Sequence, residues 1–343
     1  MRVKYYLLKR TIGILLISSM ILGLTACKEQ EEVATSSIKI GVSVYDKYDT
    51  FVAELMECVK EEANKVEKST GIKINISVSN AGQDQASQNE QVENMINNGC
   101  DVICVNLVDR TEPTTIIDLG KENNVPIIFF NRELVEEDLD RWDKLYYVGA
   151  VADESGVLEG EIAAEAFRNV DGADKNNDGI FQYIMLEGEP GHQDAIVRTE
   201  SSVQAIVKAG IEVERLDSGI ANWNRAQAQS KMNQFISQYG NEIELVIANN
   251  DDMALGAVDA LEDLGVERDK WPVIVGIDGT SVGLEAVNTG KIYGTVYNNK
   301  EGQAEALINL SYYIAMKKDL SEIKLLKERY IRLPYEKIGA DGN

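Results

Sequence analysis

Residues 174–198 read DKNNDGIFQYIMLEGEPGHQDAIVR, and this one run holds a polar loop, a strand, a turn and the start of a helix. Asp174, Asn176, Asp178 and Gly179 repeat the D-x-N-x-D-G spacing found at positions 1, 3, 5 and 6 of an EF-hand calcium loop. Position 12, where such a loop carries a bidentate Glu, is Met185 here. The residues from Ile180 to Leu186 read as a strand where an EF-hand has a helix. A cation held at this loop therefore needs a carboxylate from elsewhere in the chain. The turn Gly188-Glu189-Pro190-Gly191-His192-Gln193-Asp194 follows at once, with Arg198 just beyond it. His192, Asp194 and Arg198 thus leave a single strand end, a set that suits a small polyhydroxylated ligand.

The same strand–turn–helix unit recurs outward in both directions. Strands are expected over 38–44, 72–78, 102–106, 126–130, 146–148, 180–186, 212–216, 245–249, 272–277 and 294–297. Helices are expected over 50–67, 84–98, 114–123, 155–167, 194–209, 225–239, 253–264, 282–289 and 303–317, followed by an extended tail over 328–335. Regular alternation of this kind means an α/β fold with parallel sheets covered on both faces. The length exceeds what one core usually supports, so two domains are expected.

Polar side chains collect where these strands end. Asp49 follows the first strand, Asn131 follows 126–130, Asn250 follows 245–249, Asp278 follows 272–277 and Asn298 follows 294–297. His192 and Asp194 follow 180–186, and Trp223 follows 212–216. In open α/β sheets the ligand crevice lies outside the carboxyl ends of the strands. Any one of these residues is equally at home as a helix cap or turn former; their agreement over seven strand ends points to a shared crevice. Sugar hydroxyls each donate and accept, so carboxylates (Asp49, Asp194, Asp278), amides (Asn131, Asn250, Asn298), an imidazole and a guanidinium can satisfy them. The apolar face of a sugar ring wants a flat aromatic surface, for which Phe51 and Trp223 are candidates.

Other chemistries find little support. Asp49 and Asp278 are the only pair that resembles the two carboxylates of a glycosidase, and no neighbour is arranged to split their pKa values. His192 is the one histidine in the chain, which excludes multi-His metal sites. No nucleophile elbow, dinucleotide fingerprint or phosphate loop is present. Residues 1–27 form a leader: a basic segment with Arg2, Lys4, Lys9 and Arg10, an uncharged stretch from Thr11 to Ala26, and Leu24-Thr25-Ala26-Cys27 at its close. The small residue before Cys27 resembles a bacterial lipobox, in which that cysteine carries the lipid. Residues 28–37 read as a polar tether. Removing the leader takes the net charge from −23 to −27, because its four basic residues are accompanied by no acid. Such acidity argues against nucleic acid as a partner. Cys58, Cys100 and Cys104 have no disulfide-framework spacing and read as buried apolar residues.

From Ile38 to Gly339 the chain resembles the periplasmic galactose/glucose-binding proteins, sugar receptors of ABC importers, in lipoprotein form. The resemblance rests on Gly41-Val42-Ser43-Val44-Tyr45 with Asp49 and Phe51, on Phe129-Phe130-Asn131, on Gly188 to Asp194 with Arg198, on Ala248-Asn249-Asn250-Asp251 and on Gly276-Ile277-Asp278. It implies two Rossmann-like lobes of the type I periplasmic-binding-protein fold, joined by a hinge of three chain crossings. Residues 38–149 with 298–331 would form one lobe, and 150–297 with 332–343 the other. It further implies a monomer without catalytic activity that captures D-galactose or D-glucose between the lobes and delivers it to membrane permease subunits. The ligand set would be Asp49, Phe51, Asn131, His192, Asp194, Arg198, Trp223, Asn250, Asp278 and Asn298. The resemblance also implies a structural Ca²⁺ on Asp174, Asn176, Asp178, the Ile180 carbonyl, Gln182 and the remote Glu244. Gln193 stands where the family has proline, and Ile180 where it has a glutamine that contributes only backbone. Location would be extracytoplasmic, held at the cell membrane through Cys27. A sensor presenting hexose to a chemoreceptor or kinase is the nearest alternative.

Overall fold

Three four-residue strands, Val102–Val105, Ile127–Phe130 and Leu245–Ala248, have every residue buried, as central strands of a parallel sheet with both faces covered must. In the computed structural model, which describes residues 37–339, they sit at the middle of two six-stranded sheets. The leader, Cys27 and all of the tether except Ser37 lie outside the described residues.

The first sheet has the order β11-β5-β4-β3-β1-β2, every pairing in it parallel. Its strands are β1 (Ser37–Val44), β2 (Lys73–Asn80), β3 (Val102–Val105), β4 (Ile127–Phe130), β5 (Leu145–Ala150) and β11 (Tyr330–Leu333). The second has the order β12-β10-β9-β8-β6-β7, built from β6 (Ile180–Glu187), β7 (Glu212–Ile220), β8 (Leu245–Ala248), β9 (Val273–Asp278), β10 (Gly294–Asn298) and β12 (Tyr335–Gly339). Helices α1 (Thr50–Thr70), α2 (Gln85–Asn97), α3 (Thr114–Asn123), the single turn α4 (Glu136–Leu139) and α10 (Lys300–Ala315) accompany the first sheet; α5 (Ala152–Asn169), α6 (Gln193–Lys208), α7 (Arg225–Tyr239), α8 (Asp251–Asp263) and α9 (Ser281–Asn288) accompany the second. Apolar clusters fill both faces of each sheet. The architecture is the two-lobed α/β fold expected from the alternation.

The chain passes between the sheets three times: after β5, after β10, and at Pro334 between β11 and β12. The tail thus differs from a single extended segment. Tyr330–Leu333 adds a parallel strand to the first sheet, while Tyr335–Gly339 pairs antiparallel with β10 in the second. β7 also runs on to Ile220, four residues past the expected end, with a register shift opposite Tyr183 and Ile184. Cys58, Cys100 and Cys104 are free thiols in the first lobe.

Candidate functional site

The helices that follow the strands begin at the cleft, and their capping residues serve two purposes. Asp49 caps α1, its Oδ1 accepting from the Val52 N–H at 2.8 Å, while its Oδ2 accepts from the Tyr45 hydroxyl at 2.5 Å. Asn250 caps α8 by accepting from the Met253 N–H at 3.0 Å. Both side chains also line one small cavity between the lobes. A helix cap and a cleft residue are therefore the same residue at these strand ends.

The cavity wall brings together nine of the ten side chains singled out above: Asp49, Phe51, Asn131, His192, Asp194, Arg198, Trp223, Asn250 and Asp278. Asn298 is not among the lining residues. It is buried at the end of β10, where the chain crosses between lobes, and its Oδ1 accepts from Gln303 Nε2 at 2.6 Å. Two lining residues were not singled out, Tyr45 and Arg132. Tyr45 directly follows β1, and Arg132 is the immediate neighbour of Asn131, so the strand-end rule already pointed to both places.

Arg198 organises the second lobe's share of the wall. The side chain is buried, and its guanidinium donates to the Asn249 carbonyl at 2.8 Å, to Ser155 Oγ at 3.2 Å and to Tyr335 Oη at 3.3 Å. Asp194 and Asp278 flank it at 3.6 and 3.7 Å. Burial works against the charge on Arg198, but Tyr335, Asp194 and Asp278 more than offset it and hold the group cationic. Burial raises the pKa of Asp194, with Arg198, Arg132 and Arg110 acting in the opposite sense, and raises that of Asp278 well above the usual carboxylate range. The His192 ring is pushed the other way, first by burial and then by the three arginines, so it is neutral at physiological pH. Its Nδ1 accepts from the Asp194 N–H at 3.1 Å, which places the ring proton on Nε2.

Backbone strain is concentrated here. Asn131, Trp223 and Asp278 have φ of 61°, 62° and 123°, a conformation that costs non-glycine residues of order 1–3 kcal/mol each and persists where surrounding structure enforces it. The Trp223 ring lies against Gly188, whose missing Cβ would overlap three ring carbons. Gly188 is held in place by donating its N–H to Asn249 Oδ1 at 3.0 Å. The indole meets His192 edge-on with centroids 5.1 Å apart. The wall thus offers a fixed aromatic face beside carboxylates, amides and a guanidinium.

The loop before β6 forms a second polar cluster. Asp174 accepts from the backbone N–H groups of Asp178 and Gly179, at 3.2 and 2.9 Å, and Asp178 Oδ2 accepts from the side-chain amides of Asn176 and Gln182, at 2.8 and 2.9 Å. Glu244, buried just ahead of β8, reaches the same loop, accepting from the backbone N–H groups of Lys175 at 2.5 Å and Gln182 at 3.2 Å. Among the described residues no three His, Cys, Asp or Glu side chains stand close enough together to hold an ion in this geometry. The donor set is nonetheless one for a hard cation: three carboxylates and two amides, each amide able to present oxygen after a half-turn.

Residues 40–319 match the model of the periplasmic binding protein domain. The chain belongs to the type I periplasmic binding protein family. It is 34% identical over 307 residues to the D-galactose/methyl-galactoside binding periplasmic protein of Haemophilus influenzae, covering 89% of this chain and 90% of that one. It is 33% identical to the xylitol-binding protein of Mycolicibacterium smegmatis, over 81% and 72% of the two chains. A solved ABC-transporter solute-binding protein from Bacillus halodurans, with bound myo-inositol, superposes with a TM-score of 0.73 at 31% identity over 90% of this chain and 96% of that one. Periplasmic binding proteins of this type are extracytoplasmic receptors of ABC importers, and the family binds solutes without catalysing reactions.

Proposed function

We propose that this periplasmic binding protein captures one molecule of D-galactose or D-glucose in the interlobe cavity and hands it to the membrane subunits of an ABC importer. The observation that carries this reading is that Trp223 and the Asp194–Arg198–Asp278 group line the same small cavity. A pyranose presents an apolar C–H face to the indole and a rim of hydroxyls to planar donors and acceptors. The Haemophilus influenzae relative, named for D-galactose, supports the hexose over the xylitol and myo-inositol bound by the other two. Tyr45 and Arg132 join the sequence-derived ligand set on this reading, and Asn298 acts at the crossing, through Gln303. We further infer a lipid anchor on Cys27, and a structural Ca²⁺ on the loop from Asp174 to Gln182 with Glu244.

Calorimetric titration of the mature chain with a panel of monosaccharides and polyols tests the assignment. Saturable one-to-one binding of D-galactose and D-glucose is expected, with D-ribose, xylitol and myo-inositol far weaker. Each polar group of the wall left without a partner costs about 1–3 kcal/mol. Tight binding of a pentose or polyol without a hexose response overturns the assignment.

A further inference from the structure

At the edge of the cavity a pair of charged residues from opposite lobes meets. Arg132, at the end of β4, is buried and fixed on its own lobe: its guanidinium stacks 3.5 Å over the Tyr45 ring and donates through Nη1 to the Val108 carbonyl at 2.8 Å. Tyr45 is fixed in turn by its bond to Asp49. The remaining nitrogen, Nη2, meets Glu189 of the second lobe at 2.8 Å. Glu189 belongs to the short turn between β6 and α6, and its side chain remains 41% exposed. It borders the open vestibules on both sides of the cavity but does not line the cavity itself, whereas Arg132 borders the cavity and one vestibule. The ion pair therefore stands where the cavity meets its two neighbouring clefts.

Other hydrogen bonds also join the lobes: Thr50 Oγ1 donates to Asp252 Oδ2 at 2.6 Å, the Ser281 N–H to Glu54 Oε1 at 2.9 Å and Lys300 Nζ to the Gly279 carbonyl at 3.1 Å. Among the described residues only the Arg132–Glu189 pair joins two formal charges of opposite sign across the lobes, and of these contacts only there does the first-lobe partner also line the cavity. Arg132 keeps its Tyr45 and Val108 contacts whether or not the lobes are apart, because all three belong to the first lobe; the Glu189 contact exists only when they meet.

We propose that Glu189 and Arg132 form the latch that sets how fast bound ligand leaves, with Arg132 held on the first lobe and Glu189 joining it from the second when the lobes meet. The inference rests on the reading of the cavity as the ligand site, but not on which sugar fills it. Breaking a charge pair with one buried partner acts mainly on dissociation.

The test is stopped-flow tryptophan fluorescence on the mature chain and on Glu189→Gln, Arg132→Gln and the double variant, each with D-galactose, D-glucose, D-ribose and myo-inositol. Glu189→Gln is expected to release ligand about tenfold faster, with an association rate within about twofold of the parent. The double variant is expected to release no faster than Arg132→Gln alone, and circular dichroism should show each variant folded. A failure of the hexose assignment appears as a change in which ligand gives the signal, in every chain alike. Wild-type release from Glu189→Gln for whichever ligand binds overturns the latch, as do release rates that multiply in the double variant.

Discussion

The two walls of the cleft are built differently. The second lobe supplies His192, Asp194, Arg198, Trp223, Asn250 and Asp278, with a buried guanidinium held by Asn249, Ser155 and Tyr335 before any ligand arrives. The first lobe supplies Tyr45, Asp49, Phe51, Asn131 and Arg132, whose polar members are tied to their own lobe: Asp49 to the start of α1, Asn131 Oδ1 to Asn106 Nδ2 at 3.1 Å, and Arg132 to Val108. One wall is an ionic cluster preorganised for recognition, and the other is a neutralised cover that carries the closing contact. Preorganised donors cost little to aim when the ligand binds, so the second wall should dominate affinity.

The largest effect expected from this asymmetry comes from Asp194→Ala. It leaves Arg198 with Asp278 as its only flanking carboxylate in a water-excluded cleft, a loss of about 3 kcal/mol, or more than a hundredfold in Kd by calorimetry. Asn131→Ala, on the opposite wall, should cost about 1 kcal/mol. Equal losses on both walls would erase the distinction. Trp223→Ala falls between them, at about 1–3 kcal/mol, through lost contact with the ring face. If Trp223→Ala lowers the melting temperature and spares affinity, the indole belongs to the apolar cluster it touches along with Leu216 and Ile236, and the second wall loses its aromatic face.

The same asymmetry explains what was legible in the sequence. Alternating β-rich and helical runs, together with the rule that ligands gather at strand carboxyl ends, lead to seven of the lining residues, Asp49, Asn131, His192, Asp194, Trp223, Asn250 and Asp278. Phe51 and Arg198 lie inside α1 and α6 and are reached through their chemistry, an aromatic face and a guanidinium next to the same turns. Tyr45 and Arg132 also lie at strand ends, but what they do comes from stacking on each other across two strand ends, a relation between residues far apart in the chain that spacing does not show. Asn298 satisfied the strand-end rule, but its strand end coincides with a crossing, where Gln303 claims the amide. Periodicity alone reads the tail as one extended piece, because four or five residues cannot show by period which sheet they will join; the resemblance divides it at 331/332, and the structure divides it at Pro334. β7 was cut short because it lies at a sheet edge, where several residues are exposed and the apolar signal is weak.

A metal would strengthen the second wall from behind. Gln182 lies on β6, and that strand ends at the turn carrying His192, so a cation on Asp174, Asp178 and Glu244 would brace the recognition wall and leave the cover untouched. A ligand that binds only the folded chain adds about 2.7 kcal/mol at a hundredfold excess over its Kd. Chelator should therefore lower the melting temperature of the parent chain and leave Glu244→Gln almost unmoved, while calcium restores only the parent. Equal melting temperatures for the parent chain with chelator and with calcium, together with no metal by elemental analysis, would leave the loop as an Asx-rich turn.

The smallest effect at neutral pH, and the most specific to the second wall, concerns Glu159. This side chain is fully buried on α5, one turn from the Ser155 that accepts from Arg198, and neither carboxyl oxygen has a hydrogen-bond partner. Burial, opposed by Arg198 and reinforced by Asp251 and Asp278, raises its pKa well above the usual value of 4.5. One guanidinium cannot neutralise every acid around it, and a fully buried carboxyl without a close hydrogen bond keeps its proton. A folded-state pKa above the unfolded one gives stability that is complete below about pH 4.5 and is lost as pH rises through the folded value. Glu159→Gln removes that loss, because an amide does not ionise. The melting temperature of the variant minus that of the parent should therefore grow as pH rises from 6 and level off once Glu159 ionises in the folded chain. The other raised carboxyls, Asp194, Asp251 (to about 6) and Asp278, and His192, whose lowered pKa acts in the opposite direction, titrate in both chains, so that the difference isolates Glu159. An offset independent of pH would mean that Glu159 is ionised throughout this range, and the second wall would then hold a full set of charged carboxylates around Arg198.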